Sequence, residues 1–397
     1  GPSINLGFEP QWVMVKNTNT TGWWTLSDTM RGLDVDASTT RVLYPNANNA
    51  EGDTDLTCHS TGFGLKAGSS SSLNGDGNTM IYIAIRRPDG YVGKPPELGT
   101  DVFAMDTGNS SSTIPTFDSG FPVDFALYRQ PATIQNWMAP ARLIQGKAVE
   151  TNTTSGASTE SGTMFDSNVG WANNSNFNTN YQSWMWKRGA GFDVVCDVGT
   201  NSGKDIIHSL NAVPEMILRK NRDNSSAAQG KWIVYHKDLP ANGSNLGYAY
   251  LNLSSAAGTY GSYWTQIPTS TVFSVGNDND INYPDQNHIS FLFSSVVGIS
   301  KVGSYTGSGA SNTQTITTGF APRFVIIKDY TGNSNPWYTM DTTRGWGSGD
   351  DKQLAIDDLY AQLSNDWGAP TSTGFTVTGN GINLNTNNQK YIYYAHA

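Results

Sequence analysis

One phrase occurs near both ends of this chain, and it limits the possible folds more than any other feature. Gly7-Phe8-Glu9-Pro10-Gln11-Trp12-Val13-Met14-Val15-Lys16 is matched by Gly319-Phe320-Ala321-Pro322-Arg323-Phe324-Val325-Ile326-Ile327-Lys328. The register holds beyond the phrase: Trp23 to Gly32 answers to Trp337 to Gly345, and Ser60-Thr61-Gly62-Phe63 to Ser372-Thr373-Gly374-Phe375. A third copy runs from Asn211 to Lys220 through Trp232-Ile233-Val234-Tyr235 and Ser270-Thr271-Val272-Phe273 to His288–Phe293. The most diverged copy starts at Gly120-Phe121-Pro122-Val123 and ends at Tyr181–Lys187. About four copies of a ~95-residue unit build several small cores rather than one large one.

Within each copy, apolar and aromatic residues occur in runs or alternation over short stretches bounded by Gly, Asn, Ser and Pro, which is the pattern of strands. The predicted fold is all-β: an elongated tandem array of about four small β-sandwich repeats of jelly-roll or lectin-like type, with units at 1–100, 101–191, 192–298 and 299–397. A short extended segment with a Gly turn precedes three copies, at Val102–Gly108, Phe192–Gly199 and Lys301–Gly307, and the first copy lacks it. The only stretch of helical character is Asp351–Ser364, expected to form a turn or two. Gly1-Pro2-Ser3 reads as the remnant of a cleaved purification tag, so the chain is expected to be an excerpt of a longer protein.

The net charge is −9, which argues against duplex nucleic acid or an anionic membrane surface as partner, since both need clustered Lys and Arg. No apolar run approaches the ~20 residues that span a bilayer. The two cysteines, Cys58 and Cys196, fall at non-equivalent positions and are expected to be free, buried thiols.

Several phrases match a known repeat. Ile207-His208-Ser209-Leu210, Lys220-Asn221-Arg222, Trp232-Ile233-Val234-Tyr235-His236 and Val302-Gly303-Ser304-Tyr305-Thr306-Gly307 resemble an uncharacterised repeat of tail-fibre-like virion proteins of marine tailed bacteriophages. The resemblance covers nearly the whole chain, most closely from Phe192 onward. It implies a virion protein of the tail or fibre that works outside the cell, contacting other virion proteins and a host-surface glycan or outer-membrane protein. It also implies a homotrimer in the full-length protein, although no coiled-coil heptads are present here. It supplies no catalytic residues.

Chemistry in the residues themselves is sparse. Glutamate occurs only at Glu9, Glu51, Glu97, Glu150, Glu160 and Glu215, with no strand motif of paired carboxylates for glycan cleavage. The histidines are scattered, and no nucleophile elbow, metal-binding Cys pair or phosphate loop appears. A binding protein rather than an enzyme is therefore expected, with a structural virion spacer and a glycan depolymerase as the alternatives. No cofactor is required. Calcium is the one cation considered, at the oxygen-rich run Asn277, Asp278, Asn279 and Asp280 with Asp285 behind it, a pattern that turn formation also favours. For ligand contact the candidates are Trp171, Tyr181, Trp184 and Trp186 in the second unit and Tyr260, Tyr263 and Trp264 in the third, all among polar residues. Trp12, Trp232 and Trp337 recur in repeat strands and are assigned to the core, and Asp-Arg pairing after the second strand (Arg31, Arg344) reads as a turn brace.

Overall fold

The computed structural model describes residues 1–37, 40–66, 71–223, 226, 229–309, 313–332, 335–347, 349–378 and 384–397. It is nearly all β, with 41% strand and 4% helix. Among the described residues no helix is long and apolar enough to cross a membrane.

Every strand pairing is antiparallel, and the sheets repeat one plan. In the third unit a six-stranded sheet runs in the order Phe192–Val198, Asn287–Phe293, Met216–Asn221, Trp232–His236, Gly247–Tyr250, Gly258–Thr259. A three-stranded sheet of Lys204–Ile207, Val272–Val275 and Trp264–Gln266 covers one face of it. The fourth unit repeats this order from Ser300–Thr306 and Lys390–His396 to Leu363–Asn365, and the second unit from Phe103–Thr107 and Gln182–Trp186 to Ser158–Thr159. The first unit is smaller: Met80–Arg86, Pro10–Asn17 and Thr25–Asp28 form a three-stranded sheet, with Met80–Arg86 at its edge.

The segment Asp351–Ser364, expected to be helical, instead holds the strand Asp351–Ala355, which pairs with Trp337–Asp341 and with Leu363–Asn365. Its polar side chains are buried between neighbouring strands, so the sheet overrides a weak local preference.

The second, third and fourth units are not strung out. Their six-stranded sheets turn their second faces toward one another and share a core, in which Phe103, Phe125, Trp186, Phe192, Phe293, Phe324 and Tyr394 meet. A cyclic set of hydrogen bonds closes this ring. The indole N–H of Trp137 donates to Ala355 O of the fourth unit (2.6 Å), that of Trp337 to Tyr250 O of the third (2.8 Å), and that of Trp232 to Glu150 O of the second (2.8 Å). The backbone N–H groups of the same three tryptophans donate to Asn152, Asp357 and Asn252. A cation lies over each ring: Arg129, Lys328 and Lys220. Trp232 and Trp337 are core residues as expected, whereas Trp12, on the first unit, is only half-buried. The elongated arrangement inferred from tandem repetition is thus replaced by closure, because each apolar second face needs a partner and the neighbouring units supply it.

The first unit joins the same apolar core through residues such as Val13, Leu33 and Phe63, and is tied further by a buried ion-pair cluster. Arg188 holds Glu9 in a fork (2.7 and 2.8 Å) and Asp193 through Nε (2.8 Å), and Arg87 bridges the same two carboxylates. Asp36 adds a second tie, accepting from Arg222 and Lys147. Cys58 and Cys196 are free, with Cys58 buried and Cys196 half-buried.

Three histidines lie in these packed regions, and burial lowers all three: His236 to about 4, His288 to about 3 with Arg219 adding to the shift, and His396 to about 3. Each folded pKa is below the ordinary 6.5, so the folded chain holds them neutral while the unfolded chain would protonate them. Stability is therefore full above about pH 6.5 and falls as the pH drops from there toward 3–4, by about 3 kcal/mol for His236 alone. Urea midpoints recorded between pH 7.5 and 4 are expected to decline steeply below 6.5, and a flat profile would contradict the burial of these imidazoles.

Candidate functional site: a polar cleft between the second and fourth units

The sequence placed seven aromatic residues at a binding surface, and the structure moves five of them into cores. Trp184 and Trp186 stand in the strand Gln182–Trp186, buried throughout its length, with their indole N–H groups bonded to Asp341 Oδ2 (3.0 Å) and Tyr394 Oη (3.3 Å). Trp171 is stacked between Phe117 and Phe165 and donates to Ser183 Oγ. Trp264 packs against Tyr235 and Phe273, and Tyr263 donates to Asp280 (2.6 Å). The polar neighbours of Trp184 and Trp186 belong to a strand covered on both faces, where inside–outside alternation disappears, whereas Trp264 is the one buried residue of the strand Trp264–Gln266. Tyr260 is 42% exposed, with its hydroxyl on Asp278, and Tyr181 is half-buried against Phe177 and Tyr128.

The oxygen-rich loop is also redirected. Asp278 caps the one-turn helix Asn279–Asn282 by accepting from Asp280 N, and Asp280 takes the Tyr263 hydroxyl and Lys231 Nζ. Asn277 and Asn279 point to solvent, and Asp285 sits in a left-handed turn at φ 57. Among the described residues, no group of three or more His, Cys, Asp or Glu side chains converges as a metal site. Of the donors considered for calcium, Asp278 serves a helix cap and Asp280 holds a tyrosine and a lysine.

Tyr181 opens onto a cleft of about 490 Å³ at the seam between the second and fourth units. Its walls are the loop around Gln130–Thr133, the segment Thr179–Gln182, and Thr343, Arg344, Lys352 and Gln362 of the fourth unit. Arg129 builds one side: its Nη2 donates to Thr133 O (2.8 Å), Leu359 O (3.0 Å) and Tyr360 O (3.0 Å), so one buried guanidinium staples both loops. Burial lowers this guanidinium to about 10. Backbone bonds from Gln362 N to Pro131 O and from Gln135 N to Leu359 O complete the seam.

Opposite Tyr181, Arg344 lies over the face of Trp184 at 5.3 Å and donates through Nε to Asp341 (2.6 Å). The Asp–Arg brace read from the sequence is therefore present, and Arg344 also faces the cleft. Two atoms of lining residues, Arg344 Nη1 and Gln362 Oε1, make no hydrogen bond with the described residues, but both are buried behind the cleft wall rather than open to it. The lining carries two cations, Arg344 and Lys352, several amides and hydroxyls, and no carboxylate.

One family model matches residues 1–87 and 104–397, across all four units in succession. The chain belongs to the DUF7483 family. That family is described as a domain of unknown function, and among curated proteins nothing matches. The DUF7483 match leaves out residues 88–103, the connector between the first and second units, and contains every residue of the cleft. Gln130, Lys352 and Gln362 were not singled out in the sequence, because they meet only when the second and fourth units close the ring.

Proposed function

We propose that this chain is a receptor-binding part of a tail-fibre-like virion protein, and that it holds a host-surface glycan in the cleft beside Tyr181 without cleaving it. The observation that carries this reading is the cleft's composition: one half-buried aromatic ring beside the accessible amides of Gln130 and Asn180 and the hydroxyls of Thr133 and Thr343. An aromatic face packs on the C–H surface of a sugar while amides and side-chain hydroxyls bond its own hydroxyls. Lys352 further favours a sugar bearing an anionic substituent, such as a uronate, within an otherwise acidic protein. The lack of a lining carboxylate supports binding rather than hydrolysis, which needs a carboxylate pair. The virion setting rests on the resemblance of the repeat phrases to tail-fibre-like proteins.

A glycan array and a host-cell binding assay test this. Tyr181→Ala is expected to weaken binding by about ten-fold or more, with a modest fall in thermal midpoint from its lost packing on Phe177 and Tyr128 and an unchanged far-ultraviolet circular dichroism spectrum. Saturable binding indifferent to Tyr181→Ala would remove the cleft from the account. Absence of binding to any glycan or host cell would turn the reading to a structural virion spacer.

A further inference from the structure

In three of the four units, the last strand of the large sheet lies between two neighbours. Gln182–Trp186, Asn287–Phe293 and Lys390–His396 each pair on one side with the unit's central strand and on the other with its first strand. Met80–Arg86 is the corresponding strand of the first unit. Among the described residues it pairs with Pro10–Asn17 alone, so its other edge presents free backbone groups.

Side-chain exposure differs as well, since the shared core covers the second face of the counterpart strands. Register through the central strands equates Ile81, Tyr82, Ile83 and Ile85 with Ile392, Tyr393, Tyr394 and His396. The first set is 47, 44, 52 and 48% exposed, the second 0, 3, 1 and 3%. Exposed apolar edge strands of this kind are pairing sites.

The filled edges also show what fits. Tyr393 stands opposite Gly303, and a Cβ on Gly303 would lie 2.6 Å from the Tyr393 hydroxyl. At the same position the third unit has Ser290 opposite Val195, and the second has Ser183 opposite Asp106. Of these three units only the fourth has a large aromatic residue at this position, and it faces glycine; the first unit also has a tyrosine here, Tyr82, so glycine is the partner residue that its counterpart accommodates.

We propose that the open edge of Met80–Arg86 is a docking site for one extended β-strand with the chemistry of Ser300–Thr306: antiparallel, small and polar for most of its length, with glycine opposite Tyr82. Main-chain hydrogen bonds along the edge would supply the affinity and the tyrosine–glycine match the selectivity, as in other strand additions.

The test uses the whole chain and two fluorescently labelled peptides, one with the sequence Ser300–Thr306 and one with Phe192–Val198, titrated by anisotropy. The glycine peptide is expected to bind saturably, and the valine peptide at least about ten-fold more weakly. Tyr82→Ser, at an exposed position, is expected to reverse this order while far-ultraviolet circular dichroism stays unchanged. Replacing the glycine of the first peptide by valine should abolish its binding to the unaltered chain. No binding of either peptide up to about 1 mM, equal binding of both, or occupation of the edge by a second copy of the chain as a β-extended dimer would each overturn the proposal. Glycan binding at Tyr181 is read separately, so failure here leaves that reading standing.

Discussion

Arg188→Met is expected to release the first unit from the other three and to lower stability by about 3–5 kcal/mol, the cost of leaving buried charges without their partner. Arg188 is the hub of the interface: it neutralises Glu9 and Asp193, both almost wholly buried, and its backbone N–H donates to Asp124. The charges beside it raise the Arg188 guanidinium well above its usual range, and Arg188 with Arg87 holds Asp193 down to about 2 despite its burial. A depressed carboxyl contributes stability that is present above its unfolded value of 3.8 and lost as the pH falls through about 2, so this cluster adds a second acid-sensitive step below the histidine window. Two-step urea unfolding, together with faster proteolysis in the connector 88–103, is the outcome to look for. The paired variant Arg188→Met with Glu9→Gln should recover part of the loss, since it removes a stranded charge. A single unshifted transition would show that the cluster does not hold the first unit in place.

Trp186→Ala is expected to cost a similar about 3–5 kcal/mol, but from the shared core, where an unfilled indole cavity cannot close. The Trp186 ring contacts Phe103 and Phe125 of its own unit, Phe192 and Phe293 of the third, and Phe324 of the fourth, and its N–H reaches Tyr394. The second, third and fourth units should therefore lose stability together. Calorimetry would show one endotherm for the ring moving to lower temperature as a whole. Destabilisation confined to the second unit, with the other two melting at their original temperature, would mean that the three sheets do not fold as one body.

The strands and the repeat were legible because each copy must satisfy the same backbone hydrogen bonds and cover the same small-sheet face. That constraint leaves recurrent phrases such as the one at Val13–Lys16 and Val325–Lys328. What the sequence concealed was the second face of each large sheet. A strand buried on one side advertises itself by alternation, whereas Gln182–Trp186 is buried on both, so its tryptophans among Gln and Ser were read as exposed. The same blindness explains the elongated array: no local signal says that Trp137, Trp232 and Trp337 donate to carbonyls of other units. Asp278 and Asp280 were ambiguous for a different reason, since the oxygen donors that suit calcium equally suit a helix cap and a tyrosine hydroxyl. Of the aromatic contact candidates, Tyr181 alone lines the seam cleft, and its partners Arg344, Lys352 and Gln362 come from a unit more than 150 residues away in sequence.

The most direct measurement is a crystal structure of the chain soaked with the tightest-binding oligosaccharide from the array. The account predicts a sugar ring packed on Tyr181, with hydroxyls on Gln130 and Asn180 and its anionic group toward Lys352. Sugar bound elsewhere, with the Tyr181 cleft empty at saturation, would contradict it.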